Sequence, residues 1–230
     1  MKKPHSIFLF LLLCLTYVYA EDIDPQDPAF KKQVCDSKNY NCGFIPLDEQ
    51  QERAVEKDSV NFIKHRGLPS SADLSGKFPN PGSQGQQGSC VGWSSTYGIM
   101  SYLEKIRNNW DFGAHVQNEN GKGDHIFSPA WTYNQINRGK DQGSVPTEAL
   151  ELLKTSGAAP WSEMPYSDKD YRKQPTEKIK KTAANYKIDS YTYLNQNDPN
   201  AMKAVLAAGH PILAGIKVYD NFYKLGDGQS

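Results

Sequence analysis

The chain has 230 residues, and its 26 Lys and Arg are balanced by 26 Asp and Glu, for a net charge of zero. Its longest basic run is Lys178-Ile179-Lys180-Lys181, so the clustered basic face expected of a nucleic-acid partner is missing. Negative mean hydropathy with 11% aromatic residues describes a soluble globular protein rather than a disordered one.

The first twenty residues read as a leader. Lys2 and Lys3 form a basic start, Ile7 to Leu15 an apolar stretch, and Val18-Tyr19-Ala20 a cleavage site before Glu21. That is the pattern of a secretory signal peptide, too short for a spanning helix. Lipidation at Cys14 is the alternative, but Leu13 is bulkier than the small residue such signals place there. No later stretch reaches the ~20 apolar residues of a membrane span. A secreted or periplasmic protein, free of the membrane after cleavage, is expected.

Export makes the cysteines informative, because the destination is oxidising. Of the four, Cys14 leaves with the leader. Cys35 and Cys42 are close enough in a polar, turn-rich segment to bridge, which leaves Cys90 odd. An odd cysteine in a secreted chain is an intermolecular bridge or a reactive thiol. Residues 21–67 are polar, with weak helical periodicity from Leu47 to Ile63, and composition changes at Leu68-Pro69.

The most informative run is Gln84-Gly85-Gln86-Gln87-Gly88-Ser89-Cys90-Val91-Gly92-Trp93. A cysteine behind a Gly-Ser turn, opening a helix, sits where free N–H groups and the macrodipole favour a thiolate. The same N–H groups can face an oxyanion, and the Gln84 amide can complete that site. The alternative is a buried, inert helix cysteine. From Cys90 the residues Trp93, Tyr97, Met100, Leu103 and Ile106 recur at helical spacing, with Asn108 and Asn109 as terminators. Gly98 inside that helix predicts close packing against a neighbour.

Ser128-Pro129 opens a second helix to Asn137. Gln142-Gly143-Ser144-Val145-Pro146 precedes a third, Thr147 to Thr155, with Gly157 as its C-cap. Tyr186 to Leu194 alternates as a strand, Asp198-Pro199 caps a helix through Ala208, and Ile212 to Val218 reads as a strand.

The run from Gln84 to Trp93 resembles the core of the papain/cathepsin cysteine peptidases, Gln-Gly-x-Cys-Gly-Ser-Cys-Trp-(Ala/Gly)-Phe, without a gap. The resemblance implies Cys90 as nucleophile and Gln84 as oxyanion-hole donor. It departs at Gln87, which stands where the family has a second, disulfide-bonded cysteine. Leu68-Pro69-Ser70-Ser71-Ala72-Asp73 resembles the opening of the family's mature domain. The implied division is a signal peptide at 1–20, a propeptide-like extension at 21–67 and a peptidase domain at 68–230. Gly143 and Ser144 take the place of a Gly-Gly pair whose main chain binds extended substrate. The alternative reading of Gly143 is a turn that needs positive φ. The fold implied is α+β in two lobes: a helical lobe built on the nucleophile helix, and a β-barrel lobe begun by residues 186–223 and left incomplete. A peptide or protein substrate, a monomer, and neither metal nor cofactor are implied.

Such a site needs a base, in this family a histidine about 130–150 residues after the cysteine. No histidine follows His210, and neither Gly-His-Ala-Val nor Asn-Ser-Trp-Gly occurs. His65, His115, His125 and His210 fit no papain-like order. The sequence therefore reads as a papain-like peptidase truncated before its catalytic His and Asn. The rival expectation is a pseudopeptidase or remnant that binds peptides through the same cleft.

Overall fold

The computed structural model describes residues 43–45, 47, 67–112, 125–195 and 197–216, and the backbone of residues 6–9. Of the sequence expectations, Cys35, Cys42, most of the 21–67 extension and the chain after Ile216 lie outside the described residues.

A single long helix, α1, organises the fold. It is α-helical over Cys90–Gly92, π-helical over Trp93–Met100 and α-helical again over Ser101–Asn108. The middle stretch coincides with Ser94-Ser95-Thr96. Ser94 Oγ donates to the Cys90 carbonyl at 2.8 Å and Ser95 Oγ to the Val91 carbonyl at 2.6 Å. Hydroxyls bonding back to carbonyls four residues earlier compete with the regular ladder and bend or widen a helix. Asn109 ends α1 in the left-handed conformation, φ 53°.

Four helices follow: α2 (Pro129–Ile136), α3 (Pro146–Thr155), α4 (Glu177–Ala183) and α5 (Pro199–Ala207). Their starts have clear local causes. Ser128 accepts from the Ala130 N–H with proline at the first turn, and Asp198 accepts from the Ala201 N–H at 2.9 Å. Thr176 caps α4 in the same way, a helix that hydrophobic spacing did not reveal.

The main core packs α1 against α2 and α3 through Met100, Tyr102, Trp131, Leu150 and Leu153, all fully buried. Trp131 also donates its Nε1–H to the Gly157 carbonyl at 2.7 Å, so its one polar atom is satisfied. The buried face of α1 differs from the expected stripe. Ile106 is exposed and Trp93 only half-buried, while Ile99 and Tyr102 are inside. The extra residue per turn in the π segment rotates the buried face. The close glycine approach is likewise not at Gly98, where a Cβ would meet only ordinary contacts. It is at Gly92, where a Cβ would lie 2.7 Å from the Pro129 carbonyl oxygen of α2.

The β portion is a small parallel sheet in the order β2-β1-β3: Ser190–Tyr193, Ser6–Leu9 and Ile212–Leu213. Ser6 pairs with Ser190 and Leu9 with both Tyr193 and Leu213. The crossover from β2 to β3 runs through α5, as parallel pairing requires. The strand expected over Tyr186 to Leu194 is shorter, because Tyr186 and Ile188 turn to join the helical core. Ser6–Leu9 falls inside the expected leader: a short apolar run suits a buried strand as well as a signal segment.

Candidate active site

Cys90 begins α1 and is partly covered. Its cover is the chain's own N-terminal extension. A Cβ placed on Gly43 would come within 2.6 Å of the Cys90 Sγ and 2.6 Å of the Gly88 carbonyl oxygen, so only a glycine fits over the thiol. Gly43 through Ile45 runs extended beside Ser144. The Ser144 N–H donates to the Gly43 carbonyl and the Ile45 N–H to the Ser144 carbonyl, both at 3.0 Å, in a parallel bridge centred on Phe44. The Gly43 carbonyl is thus turned to Ser144.

The Phe44 ring lies against Gly215, where a Cβ would be 2.6 Å away, and packs with Leu47, Val145 and Tyr193. Val145 lies at α3's entry, Tyr193 in β2 and Gly215 just after β3, while Leu47 belongs to the same N-terminal segment as Phe44. They form an apolar recess beside the thiol that holds an aromatic side chain.

The thiol is not activated in this arrangement. Burial pushes Cys90 up to about 11, against smaller downward contributions from the N–H groups of Val91, Cys90 itself and Gly43. The sequence suggested a lowered value from the helix start. Those N–H groups are present, but excluding water from the sulfur outweighs them.

Gln84 lies in the loop before α1. Its Nε2 donates to the Gln87 carbonyl at 2.9 Å, and its own carbonyl accepts from Tyr166 Oη–H at 2.8 Å. Tyr166 and Ser89 share a hydroxyl–hydroxyl bond of 2.7 Å immediately before the nucleophile. Gln87 is fully buried, with Nε2 donating to the Ser167 carbonyl at 3.2 Å. Asp141 accepts at Oδ1 from the Gly88 N–H at 2.8 Å and from Tyr133 Oη–H at 2.6 Å. Sequence reasoning missed Asp141, because its partners are distant in the chain. It also missed Gly43 and Phe44.

Gly143 has φ 87°, the positive value its alternative reading required, and this turn aims the Ser144 main chain at the extended segment. The Ser144 side chain is buried, with Oγ unpartnered among the described residues, and so does not fill the cleft. Cys90, Ser144 and the Gln84 loop are therefore brought together around Gly43. His125 is elsewhere: it stacks on Trp110 at 4.4 Å, with Nδ1 2.9 Å from the Asp111 carbonyl oxygen. His210 follows α5, its N–H donating to the Val205 carbonyl. No group of three or more His, Cys, Asp or Glu that could hold a metal ion occurs among the described residues.

Residues 68–228 match the family model for papain family cysteine proteases. The chain belongs to that family. Among solved structures it is similar to xylellain, a cysteine protease from Xylella fastidiosa. The TM-score is 0.55 at 24% identity, covering 75% of this chain and 65% of that one. A structure concerned with the mite allergens Blo t 1 and Der p 1 aligns with a TM-score of 0.43 at 16% identity, covering 67% of this chain and 47% of that one. This chain thus spans less than two thirds of either solved chain. No curated protein sequence matches it. The α+β fold is papain-like.

Proposed function

We propose that this is an exported papain-like cysteine peptidase held latent by its own N-terminal extension. The observation that carries this reading is the extended Gly43–Ile45 segment, paired with the Ser144 main chain and laid over the Cys90 sulfur. A peptide substrate would take the same place once the extension leaves. Its backbone would pair with Ser144 behind the Gly143 turn, and a bulky apolar side chain would replace Phe44 against Val145, Tyr193 and Gly215.

Chemistry then follows from the residues present. The Cys90 thiolate adds to the peptide carbonyl. The Cys90 N–H and the second N–H of the Gln84 amide, whose first is bonded to the Gln87 carbonyl, receive the oxyanion. Collapse expels the amine and leaves a thioester, which water hydrolyses. The proton passes from the thiol to the leaving amine through a histidine base, as the family resemblance implies. Residues 1–20 direct export, and the protein acts as a monomer on peptides or proteins.

A second reading, a peptide-binding pseudopeptidase, is favoured by the neutral, covered thiol. One experiment separates the two. The 230-residue chain, and the product read through the downstream codons, are incubated with an unstructured protein substrate. Little or no turnover is expected from the first, and turnover abolished by Cys90→Ala from the second. Peptide binding by both without cleavage by either would sink the peptidase reading.

A further inference from the structure

The loop that carries Gln84 and delivers Cys90 must keep a fixed distance from the Gly143-Ser144 edge, because a peptide has to touch both at once. The family pattern places a disulfide-bonded cysteine in this loop, and here that position is Gln87. Gln87 is buried but contributes one neutral bond of 3.2 Å, with its Oε1 unpartnered among the described residues.

The stronger tie is Asp141. It immediately precedes the Gln142-Gly143-Ser144 run, and its Oδ1 accepts two short bonds from different elements. One is from the Gly88 N–H at 2.8 Å, two residues before the nucleophile. The other is from Tyr133 Oη–H at 2.6 Å, on α2. Tyr133 is fully buried, and burial first and the Asp141 carboxylate second raise its pKa far above the ordinary phenol value. It therefore stays a hydroxyl donor at any working pH. The fit at Gly88 is equally tight: a Cβ there would meet the Gly143 nitrogen at 3.1 Å and Tyr133 Oη at 3.3 Å. Bonds to an ionised acceptor are roughly twice as strong as neutral ones.

We infer that Asp141 is a positioning residue that holds the oxyanion loop in register with the substrate-binding edge, in place of a covalent bridge. This rests on the peptidase reading for its catalytic consequence, but not for its structural one. Loss of the tie lets the two walls shift, and a displacement near 1 Å costs about 100-fold in rate.

The test compares Asp141→Ala and Asp141→Asn with the parent sequence, each carried in the product read through the downstream codons. Turnover is measured per molecule of Cys90 titrated by alkylation, and hydrogen exchange is measured at the Gly88 amide. For Asp141→Ala, kcat is expected to fall about 10–100-fold with KM moving less than about 3-fold, since the lost interaction is felt mainly in the transition state. Asp141→Asn keeps an acceptor at the same position and should recover to within about 5-fold of the parent, the charge alone being lost. Gly88 should exchange at least about 100-fold faster in the alanine variant. Unchanged kcat per titrated site, or an asparagine variant no better than alanine, would overturn the positioning role. A read-through product without turnover would sink the peptidase reading instead. Gly88 exchange then still decides the tie: faster exchange in either variant supports it, and unchanged exchange in both refutes it.

Discussion

Two segments flank the Cys90 sulfur, and they are held in opposite ways. The loop from Gln84 to Ser89 is fixed by polar bonds to two separate parts of the chain: Asp141 and the adjacent pair Tyr166 and Ser167. The segment from Gly43 to Leu47 is attached by two main-chain bonds to Ser144 and by apolar contacts of Phe44 and Leu47. The first is a wall and the second is a cover. Polar ties that are buried and mutually dependent are costly to break singly, whereas a short extended segment with few contacts opens at low free energy. The site therefore combines permanent geometry with a removable occupant.

The comparison breaks most visibly if the wall is undermined from behind. Trp131→Ala removes the largest fully buried side chain of the helical core and leaves the Gly157 carbonyl without its donor. A loss of about 3–5 kcal/mol is expected, measured by denaturant unfolding.

Alkali should lift the cover and spare the wall. Covered, the thiol titrates at about 11, against 9.0 for an ordinary cysteine. Below pH 9 both states carry a neutral thiol, so closure keeps its full stability. Between 9 and 11 only the uncovered thiol ionises, so closure weakens with rising pH, by up to about 100-fold across those two units. Proteolytic nicking of the extension at pH 8 and pH 10, with the helical core as internal reference, reads this directly. Equal nicking at both would sever the link between the thiol and the cover.

Gly43→Ala should expel the segment at neutral pH, because the added methyl meets both the sulfur and the Gly88 carbonyl. Alkylation of Cys90 should then accelerate by up to about 10-fold. A hundredfold rise in thiolate is offset in part by its lower intrinsic nucleophilicity. Phe44→Ala is the mildest change. It removes a half-buried ring and should weaken the cover by about 1 kcal/mol without altering unfolding of the core. A competing apolar peptide should bind correspondingly better.

What could be read from the sequence was local. Ser128-Pro129, Asp198-Pro199 and the Asn108-Asn109 pair announce helix ends, because a cap acts within a few residues of itself. Cys90 and Gln84 were singled out by the resemblance of the Gln84–Trp93 run to a family motif, a local signal as well. The boundaries of the buried face were not, since the π segment changes the helical period on which such reasoning depends. Asp141 lies 53 residues from Gly88, and nothing at either position signals the other. The acidity of Cys90 was misjudged for the same reason. A helix start is visible in sequence, whereas the burial that outweighs it comes from the folded surroundings, which include Gly43, 47 positions earlier, packed against the sulfur.

The direction of the Gly43–Ile45 segment has a kinetic consequence. With its carbonyl turned to Ser144, Gly43 does not offer that carbonyl to the sulfur, so at this residue the occupant behaves as a gate and not as a slow substrate. Its opening is unimolecular, with a rate independent of protein concentration. Every peptide that enters then binds more weakly than its contacts warrant, by the fraction of molecules open at that moment.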